Sequence, residues 1–383
     1  MAARTKVSII LFLWSFAALG RYYVISGYEL SDQELERQLE LLNKPAVTTI
    51  QTKYDEEYDC VDFYQQPAFD HPLLKEHKYE YKMSSYNHQL NRRTYDDASY
   101  INPFDIWKNG KGCPTNTVPI KRITKEDLIR ANSANELAYT NSINNLNPGV
   151  EVAVLRTTKN KKYYGGGMIG AIYHPAVQSS QYSSSRFKCE NYPDSIAVGW
   201  TVNPSLYPDN EPHLFIYTIT KDSHCYNTYC PGFLIMSPAI PLDLLLKPYS
   251  RPGIKMVELK FHIRKDAING DWFLQLGPNN FTVGSWPQRI FTSLADSADY
   301  VEWGGEVYSP PNMTPPQMGA GYKPMQKLRF DCYGRLVNLI DELHEDDYNP
   351  PSCKTYQSSK RYQIIDEGDV GSGLIRLILF GGS

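Results

Sequence analysis

The sequence lacks the patterns that mark several binding and enzyme classes. Its formal net charge is -3 and it has no long basic run, so a nucleic-acid partner is not expected. No Cys-x-x-Cys pair or histidine-rich group indicates a metal site, and neither a metal nor an organic cofactor is predicted. Scattered histidines are interpreted as structural side chains: His71, His174, His213, His224 and His262.

Two short runs resemble catalytic loops but lack the rest of the motif. Gly165-Gly166-Gly167 is followed by neither Gly-Lys-Ser/Thr nor a helical pattern, so close backbone packing is a better explanation than phosphate binding. Ser183-Ser184-Ser185 has no Gly-x-Ser-x-Gly setting. A serine hydrolase is therefore not favoured.

An apolar run at residues 7–19 is too short for a membrane span, which takes about 20 residues. It follows basic residues and ends in Ala18-Leu19-Gly20, a small-x-small cleavage pattern. Residues 1–20 are therefore predicted to be a secretory signal peptide, with a single membrane anchor as the alternative. We expect an extracellular protein, possible also in the vacuole, with no membrane partner after the signal is removed.

Composition favours short strands and tight turns. The chain has 29 Tyr, 26 Pro and 25 Gly, and 42% of its residues are hydrophobic. Turn residues separate the apolar runs at intervals typical of an antiparallel two-sheet sandwich. The predicted strands are Val150–Thr157, Gly165–Tyr173, Ser195–Val202, Leu214–Thr220, Phe233–Met236, Lys255–Arg264, Trp272–Leu276, Thr282–Trp286, Val301–Tyr308 and Gly373–Phe380.

The N-terminal part reads as a small α+β domain. Ser31 and Glu34 form a capping box at the start of a helix that ends before Pro45, and its leucine stripe is expected to dock on the protein itself. From Thr48 to Arg130 the sequence is polar, turn-rich and compatible with a small disulfide-stapled domain. Basic and polar residues at 121–122 and 125–130 are compatible with an exposed processing linker, but no cut site follows from the sequence.

Tyr300–Tyr308 is the strongest candidate for a functional stretch. It reads Tyr-Val-Glu-Trp-Gly-Gly-Glu-Val-Tyr, and its Gly-Gly pair permits a bulge or a close approach of another group. Glu306 is the candidate catalytic carboxylate. The alternative is a solvated carboxylate at a sheet edge.

This stretch resembles a signature of the neprosin family of plant glutamic peptidases, as do two further segments, Cys60–Leu74 and Cys225–Phe233. The resemblance implies a β-sandwich endopeptidase that cleaves after proline in a Pro-rich peptide or protein. It also implies an activation propeptide at residues 21–130 that covers the cleft and is removed on acidification, with a permanent accessory domain as the alternative. The catalytic domain would be residues 131–383, and a monomer is expected.

One position departs from the family pattern. Active members carry a second catalytic glutamate where this chain reads Ser195-Ile196-Ala197-Val198-Gly199-Trp200, so Ala197 takes the place of the second carboxylate. Loss of one acid or base costs about 10²- to 10⁴-fold in rate, and weak or no turnover is expected. The alternative is an active acid endopeptidase with a substitute acid, for which Glu302, Glu190 and Asp194 are weighed. Asp194 is disfavoured because it alternates away from the face of Ala197.

The resemblance also implies three disulfides among the seven cysteines: Cys60–Cys113, Cys225–Cys230 and Cys332–Cys353. Cys189 is then left over, either as a buried thiol or as an intermolecular link in an extracellular interaction protein. For the substrate cleft, the aromatic candidates are Trp200, Trp303 and Tyr217, whereas Trp272 and Trp286 are interpreted as core. Asn280 and Asn312 stand in N-glycosylation sequons.

Overall fold

Antiparallel strands are the main secondary structure of the described chain, as the alternating pattern predicts. The computed structural model describes residues 31–76, 79, 98–143, 149–159, 161–350, 352–371 and 373–383. The predicted signal peptide lies outside these residues. Within the described ranges, no helix is both long and apolar enough to span a bilayer.

Two α-helices and twenty strands follow one another along the described chain. They are α1 (Asp32–Leu42), β1 (Ala46–Gln51), β2 (Glu57–Asp62), β3 (Ala98–Tyr100), β4 (Thr117–Lys121), α2 (Lys125–Ile143), β5 (Val150–Thr157), β6 (Gly165–Ala171), β7 (Tyr182–Asn191), β8 (Asp194–Val202), β9 (His213–Ile219), β10 (His224–Tyr226), β11 (Leu234–Ile235), β12 (Met256–Lys265), β13 (Trp272–Leu276), β14 (Phe281–Trp286), β15 (Tyr300–Tyr308), β16 (Tyr333–Ile340), β17 (Asp346–Asp347), β18 (Cys353–Gln357), β19 (Tyr362–Asp369) and β20 (Arg376–Gly382).

The strands form three sheets. A seven-stranded sheet, here called the site sheet, has the order β10-β9-β8-β7-β15-β5-β18. A ten-stranded sheet, the back sheet, has the order β11-β14-β13-β12-β6-β16-β20-β19, with β17 beside β16 and β3 parallel to β12. The N-terminal sheet is β1-β2-β4. The predicted sandwich is therefore confirmed.

The hydrophobic core fills the space between the site sheet and the back sheet. Its largest side chains are fully buried indole and phenyl rings, including Trp272 and Trp286 as predicted. The glycine run in β6 serves close packing: a Cβ on Gly166 would lie 2.3 Å from the carbonyl oxygen of Asn338 on β16. Only glycine admits that approach.

The N-terminal region docks on the sandwich through specific bonds. Tyr58 on β2 donates to the Leu242 carbonyl at 3.3 Å, and the Trp107 indole donates to the Ala239 carbonyl at 2.7 Å. The α1 helix is capped as predicted, since the Ser31 hydroxyl accepts from the Glu34 amide at 3.3 Å. Its buried leucines pack with Ile123 and Leu128 of the same chain: Leu35 and Leu42.

The basic segments at 121–122 and 125–130 do not form an exposed linker. Lys121 lies in β4, and its ammonium is 3.0 Å from the carboxylate of Glu56, in the turn just before β2. Residues 125–130 form the first turns of α2, which a reciprocal capping box starts: Thr124 and Asp127 each bond the other's amide. Because α2 runs without a break from residue 125 to 143, it crosses the expected domain boundary at 130/131, which stays a prediction.

Two of the three expected disulfides are present, Cys60–Cys113 and Cys225–Cys230. The expected Cys332–Cys353 bond is wrong: both are free thiols. Cys332 lies next to β16 of the back sheet, whereas Cys353 begins β18 at the edge of the site sheet, so the two cysteines belong to different layers. Cys189 is fully buried, which fits the buried thiol and not an intermolecular link.

The two sequons differ in exposure. Asn312 is exposed in a turn after β15, whereas Asn280 is half-buried in the turn between β13 and β14. Glycosylation stays a prediction at both positions, with Asn312 the more accessible acceptor.

Candidate active site

The candidate stretch forms β15, an inner strand of the site sheet. Each residue from 302 to 308 pairs with β5 and with β7 without a register shift, so the expected bulge is absent. The glycines instead allow close approach. A Cβ on Gly304 would lie 2.3 Å from the Ala153 carbonyl oxygen, and one on Gly305 would lie 2.4 Å from the Met318 sulfur. Glu302 and Glu306 therefore lie on one face of the sheet.

Cationic and phenolic groups hold the Glu306 carboxylate. One oxygen accepts a hydrogen bond from the Tyr182 hydroxyl at 2.9 Å. The other accepts from Arg186 Nη2 at 2.6 Å and from Arg186 Nε at 3.1 Å. The Tyr182 ring stacks on Tyr308, with ring centroids 5.9 Å apart. Glu306 thus lies in the sheet as part of an ion pair, and the sheet-edge alternative is wrong.

Glu302 lies deeper and binds three cations. Its side chain is 0% exposed, and its carboxylate accepts from Arg156 Nε at 2.6 Å. Arg186 Nη1 is 2.7 Å and Lys188 Nζ 3.5 Å from the other oxygen. Lys188 also contacts Glu190 at 2.5 Å. Arginines and lysine therefore alternate with glutamates across three neighbouring strands.

Charge pairing overrides burial in this network. Burial alone would raise the pKa of Glu302, but Lys188, Arg186 and Arg156 together hold that pKa well below its ordinary value. Burial alone would lower the pKa of Arg186, and the carboxylates of Glu306 and Glu302 raise it instead. Glu302 is thus a carboxylate, unsuited to donate a proton at moderately acid pH.

Strand register places Ala197 on the same face as the two glutamates. It lies opposite Lys188, which in turn lies opposite Glu302. Glu306 lies two strands away from Ala197. The residues paired with Glu306 across the sheet are Ser184 on β7 and then Thr201 on β8, which is four residues beyond Ala197. Ala197 is 4% exposed.

The α2 helix covers this part of the face. Its buried alanines pack in one cluster with Ala197, Phe215, Tyr217 and Tyr226: Ala131, Ala134 and Ala138. Asn135 accepts from the Tyr226 amide at 2.8 Å through its side chain, and its carbonyl accepts from the Tyr217 hydroxyl at 3.4 Å. The covered face therefore includes the place where a second carboxylate would stand.

Comparison with protein families matches the two parts of the chain separately. The neprosin family model matches residues 179–383, which hold β7 to β10, β15 and Glu306. This chain belongs to the neprosin family. The neprosin activation peptide model matches residues 49–164, which include α2 and extend into β5 of the site sheet. The match gives the chain a peptidase-type fold.

Solved structures with some likeness are glutamic peptidases of low sequence identity. Scytalido-glutamic peptidase with a transition-state analogue inhibitor is 6% identical, with 61% of this chain and 98% of that one covered and a TM-score of 0.36. The same peptidase with a peptide-based transition-state analogue is 7% identical at TM-score 0.35, covering 61% and 97%. SCP-B, of the eqolisin family, with the tripeptide Ala-Ile-His, is 6% identical at TM-score 0.33, also covering 61% and 97%.

Two of the three aromatic side chains expected to line the cleft of this neprosin domain are elsewhere. Trp200 and Trp303 are fully buried in the core, where their indoles donate to the carbonyls of Ala171 and Gly167 at 3.0 Å. Strand alternation explains the error, because each tryptophan directly follows a residue of the site face. Tyr217, opposite Ala197, does lie on that face, beneath α2.

The three candidate substitute acids have different surroundings. Asp194 accepts from the amides of Thr292, Ser293 and Leu294 at 2.6–3.1 Å, which is a structural role away from the site. Glu190 lies in β7 and pairs with Lys188. Glu302 shares the face of Glu306.

Arg156, Arg186 and Lys188 were not among the residues expected in the site of this neprosin domain. The residues from Arg186 to Glu190 read Arg-Phe-Lys-Cys-Glu, in which charged and apolar residues alternate as in a half-buried strand. That alternation could have revealed β7. No cluster of three His, Cys, Asp or Glu side chains suited to a metal occurs in the described parts of the chain.

Proposed function

We propose that this protein is a secreted neprosin-domain protein that folds like a peptidase but has little or no peptidase activity. Its N-terminal region stays docked on the site sheet. The observation that carries the proposal is the pairing of Glu306 with Arg186. The face that holds this pair also holds Ala197, at the position where the family resemblance implies the second catalytic glutamate.

Peptide hydrolysis by carboxyl groups requires two acidic functions. One carboxylate draws a proton from water, while a protonated group polarises the carbonyl or protonates the leaving amine. Two carboxyls held close together divide these roles because their pKa values separate. Glu306 faces a guanidinium instead, and an arginine does not supply an exchangeable proton at acid pH.

An active acid endopeptidase that cleaves after proline is the second candidate. Glu302 supports it by position, since Arg186 contacts both glutamates. Its charge state opposes it, because the three cations lower the pKa of Glu302 and burial denies it access to a peptide. We therefore place this candidate second.

Binding of a Pro-rich peptide without cleavage is compatible with the proposal. The half-buried ring of Tyr308, which stacks on the buried Tyr182 next to Glu306, offers aromatic surface, and proline rings pack well on such surfaces. With Trp200 and Trp303 in the core, Tyr308 replaces them as the candidate for ligand contact.

The test is an assay of the full-length protein with a fluorogenic proline-containing peptide. The protein is acid-treated and assayed from about pH 2.5 to 6, where a carboxyl pair would work. We expect no cleavage above that of the Glu306→Gln variant. An acid endopeptidase added to the same mixture shows that the substrate reports cleavage.

Cleavage by the unmodified protein that Glu306→Gln abolishes would disprove the proposal in favour of the active enzyme. Binding is measured separately, by titrating an uncleavable Pro-rich peptide against tyrosine fluorescence, with Tyr308→Ala as the variant expected to weaken it. Secretion is checked by finding the chain in culture medium, beginning after residue 20.

A further inference from the structure

Ala197 is not the only residue that prevents this site from holding two paired carboxyl groups. In the register, Arg186 is opposite Gly199, and Ala197 lies two residues before Gly199 on the same strand. Glu306 is opposite Ser184, two residues before Arg186. Arg186 therefore stands midway along the diagonal that joins Glu306 to Ala197, on the same face as both.

The Arg186 side chain is fixed in that position. It is 4% exposed, binds Glu306 through two nitrogens and places Nη1 2.7 Å from Glu302. Position 199, opposite Arg186, admits only glycine, because a Cβ there would lie 1.9 Å from the Ser185 carbonyl oxygen. The guanidinium is thus bound to Glu306 and Glu302, and its residue lies in the row midway between the two positions of the pair.

We infer that Arg186 keeps Glu306 from acting as half of a carboxyl pair, even when a glutamate is restored at position 197. A carboxylate at 197 would lie diagonally from Arg186 and directly opposite Lys188, and it would join the ion network. Two carboxylates that both pair with cations have no reason to share a proton. This inference rests on the proposed function and names the residue that maintains it.

The inference predicts that replacing Ala197 alone is insufficient. The full-length chain is made with Ala134→Trp in every arm, so that a bulky side chain without charge keeps α2 from blocking the cleft. Onto this background we place Ala197→Glu, alone or with Arg186→Gln. We expect Ala197→Glu to stay silent with the proline-containing peptide, and the double change to cleave it at least about 10²-fold faster, the effect of one acid-base group.

Charge is separated from packing by a conservative variant. Ala197→Glu with Arg186→Lys keeps a cation beside Glu306 and should stay silent. The active Arg186→Gln combination should show a bell-shaped dependence of kcat/KM on pH, which a purely structural effect of Arg186 would not produce. Adding Glu306→Gln should abolish its activity, and adding Lys162→Gln, an exposed lysine paired with Asp296, should not change it.

Two outcomes would overturn the inference. One is cleavage by Ala197→Glu alone at the rate of the double change. The other is silence of the double change while circular dichroism shows a folded protein; Arg186→Met serves as a second test if Arg186→Gln fails to fold. Neither outcome touches the proposed function, which fails only if the chain with Ala197 and Arg186 intact cleaves the peptide.

Discussion

The Glu302 carboxylate contacts more cations than the Glu306 carboxylate, although the two glutamates are four residues apart on one strand. Glu302 is fully buried among Arg156, Arg186 and Lys188, whereas the Glu306 side chain is 23% exposed and pairs with one cation. A buried charge whose partner is removed is costly, since water cannot solvate it.

Glu302→Gln is therefore expected to destabilise the fold by about 3–5 kcal/mol, because it leaves three cations with too little negative charge. Glu306→Gln, the matched control, should cost less than half as much. Urea unfolding at neutral pH measures both. Equal losses would mean that burial of Glu302 has no special energetic weight.

The pH dependence follows from the same residue. Because the folded pKa of Glu302 is depressed below its ordinary 4.5, its contribution to stability is complete above that pH and is lost as the pH falls below it. The unmodified protein should thus lose stability more steeply than Glu302→Gln below about pH 4. Parallel curves for the two proteins would contradict this assignment.

At the scale of elements, α2 is the helix to test. Its buried alanines let it lie close to the tyrosines of the site sheet, and Asn135 fixes it by bonding Tyr226 and Tyr217. A large charged side chain on this face would force the helix away from the sheet.

Ala134→Arg is expected to release α2 and speed hydrogen exchange of the Tyr226 amide, which bonds Asn135. Ile129→Arg is the matched control, because Ile129 is 47% exposed on the same helix and should leave exchange unchanged. Exchange mass spectrometry measures both. Equal protection in Ala134→Arg would mean that the helix is held by other contacts.

The sequence predicted the elements with clear alternation or capping signals. Val150–Thr157 and Trp272–Leu276 have the predicted bounds, and the helix capped by Ser31 is present. It missed β7, whose first half is a serine run that resembles a loop. It also missed α2, although Thr124 and Asp127 carry a capping signal. Polar residues that tertiary packing buries give little warning of their position.

For the candidate site, the face shared by Ala197 and Tyr217 follows from alternation along each strand. The network around Arg186 does not, because it depends on which strands are neighbours and in what register. The two misplaced tryptophans show the same limit: adjacency to a site residue in sequence means the opposite face in a strand.

At the scale of the whole molecule, a buried acid lies where the N-terminal sheet meets the sandwich. Asp243 bonds Asn227 and accepts from the Tyr207 hydroxyl at 3.3 Å. Burial raises its pKa to about 6, against the attraction of Lys121 and His213. Glu56, beside Lys121, adds to the rise.

A carboxyl with a raised folded pKa favours the fold in its protonated form. Between its ordinary 3.8 and about 6, stability should therefore fall as the pH rises, by up to about 3 kcal/mol. Asp243→Asn should flatten the curve in this window, while Asp105→Asn, at an exposed position, should not. Urea unfolding midpoints at several pH values test this prediction. If the dependence of stability on pH is the same in Asp243→Asn as in the unmodified protein, another group causes it.

The ion pair between Arg186 and Glu306 affects how this protein can be detected. A reagent that tags working glutamic peptidases must reach a carboxyl that is free to react or to hold a mimic of the reacting peptide, and here an arginine is already bound to it. We therefore expect surveys based on such reagents to miss this protein, while antibodies and peptide counting detect it. If the proposed function holds, its abundance in a fluid is no measure of the proteolytic capacity of that fluid.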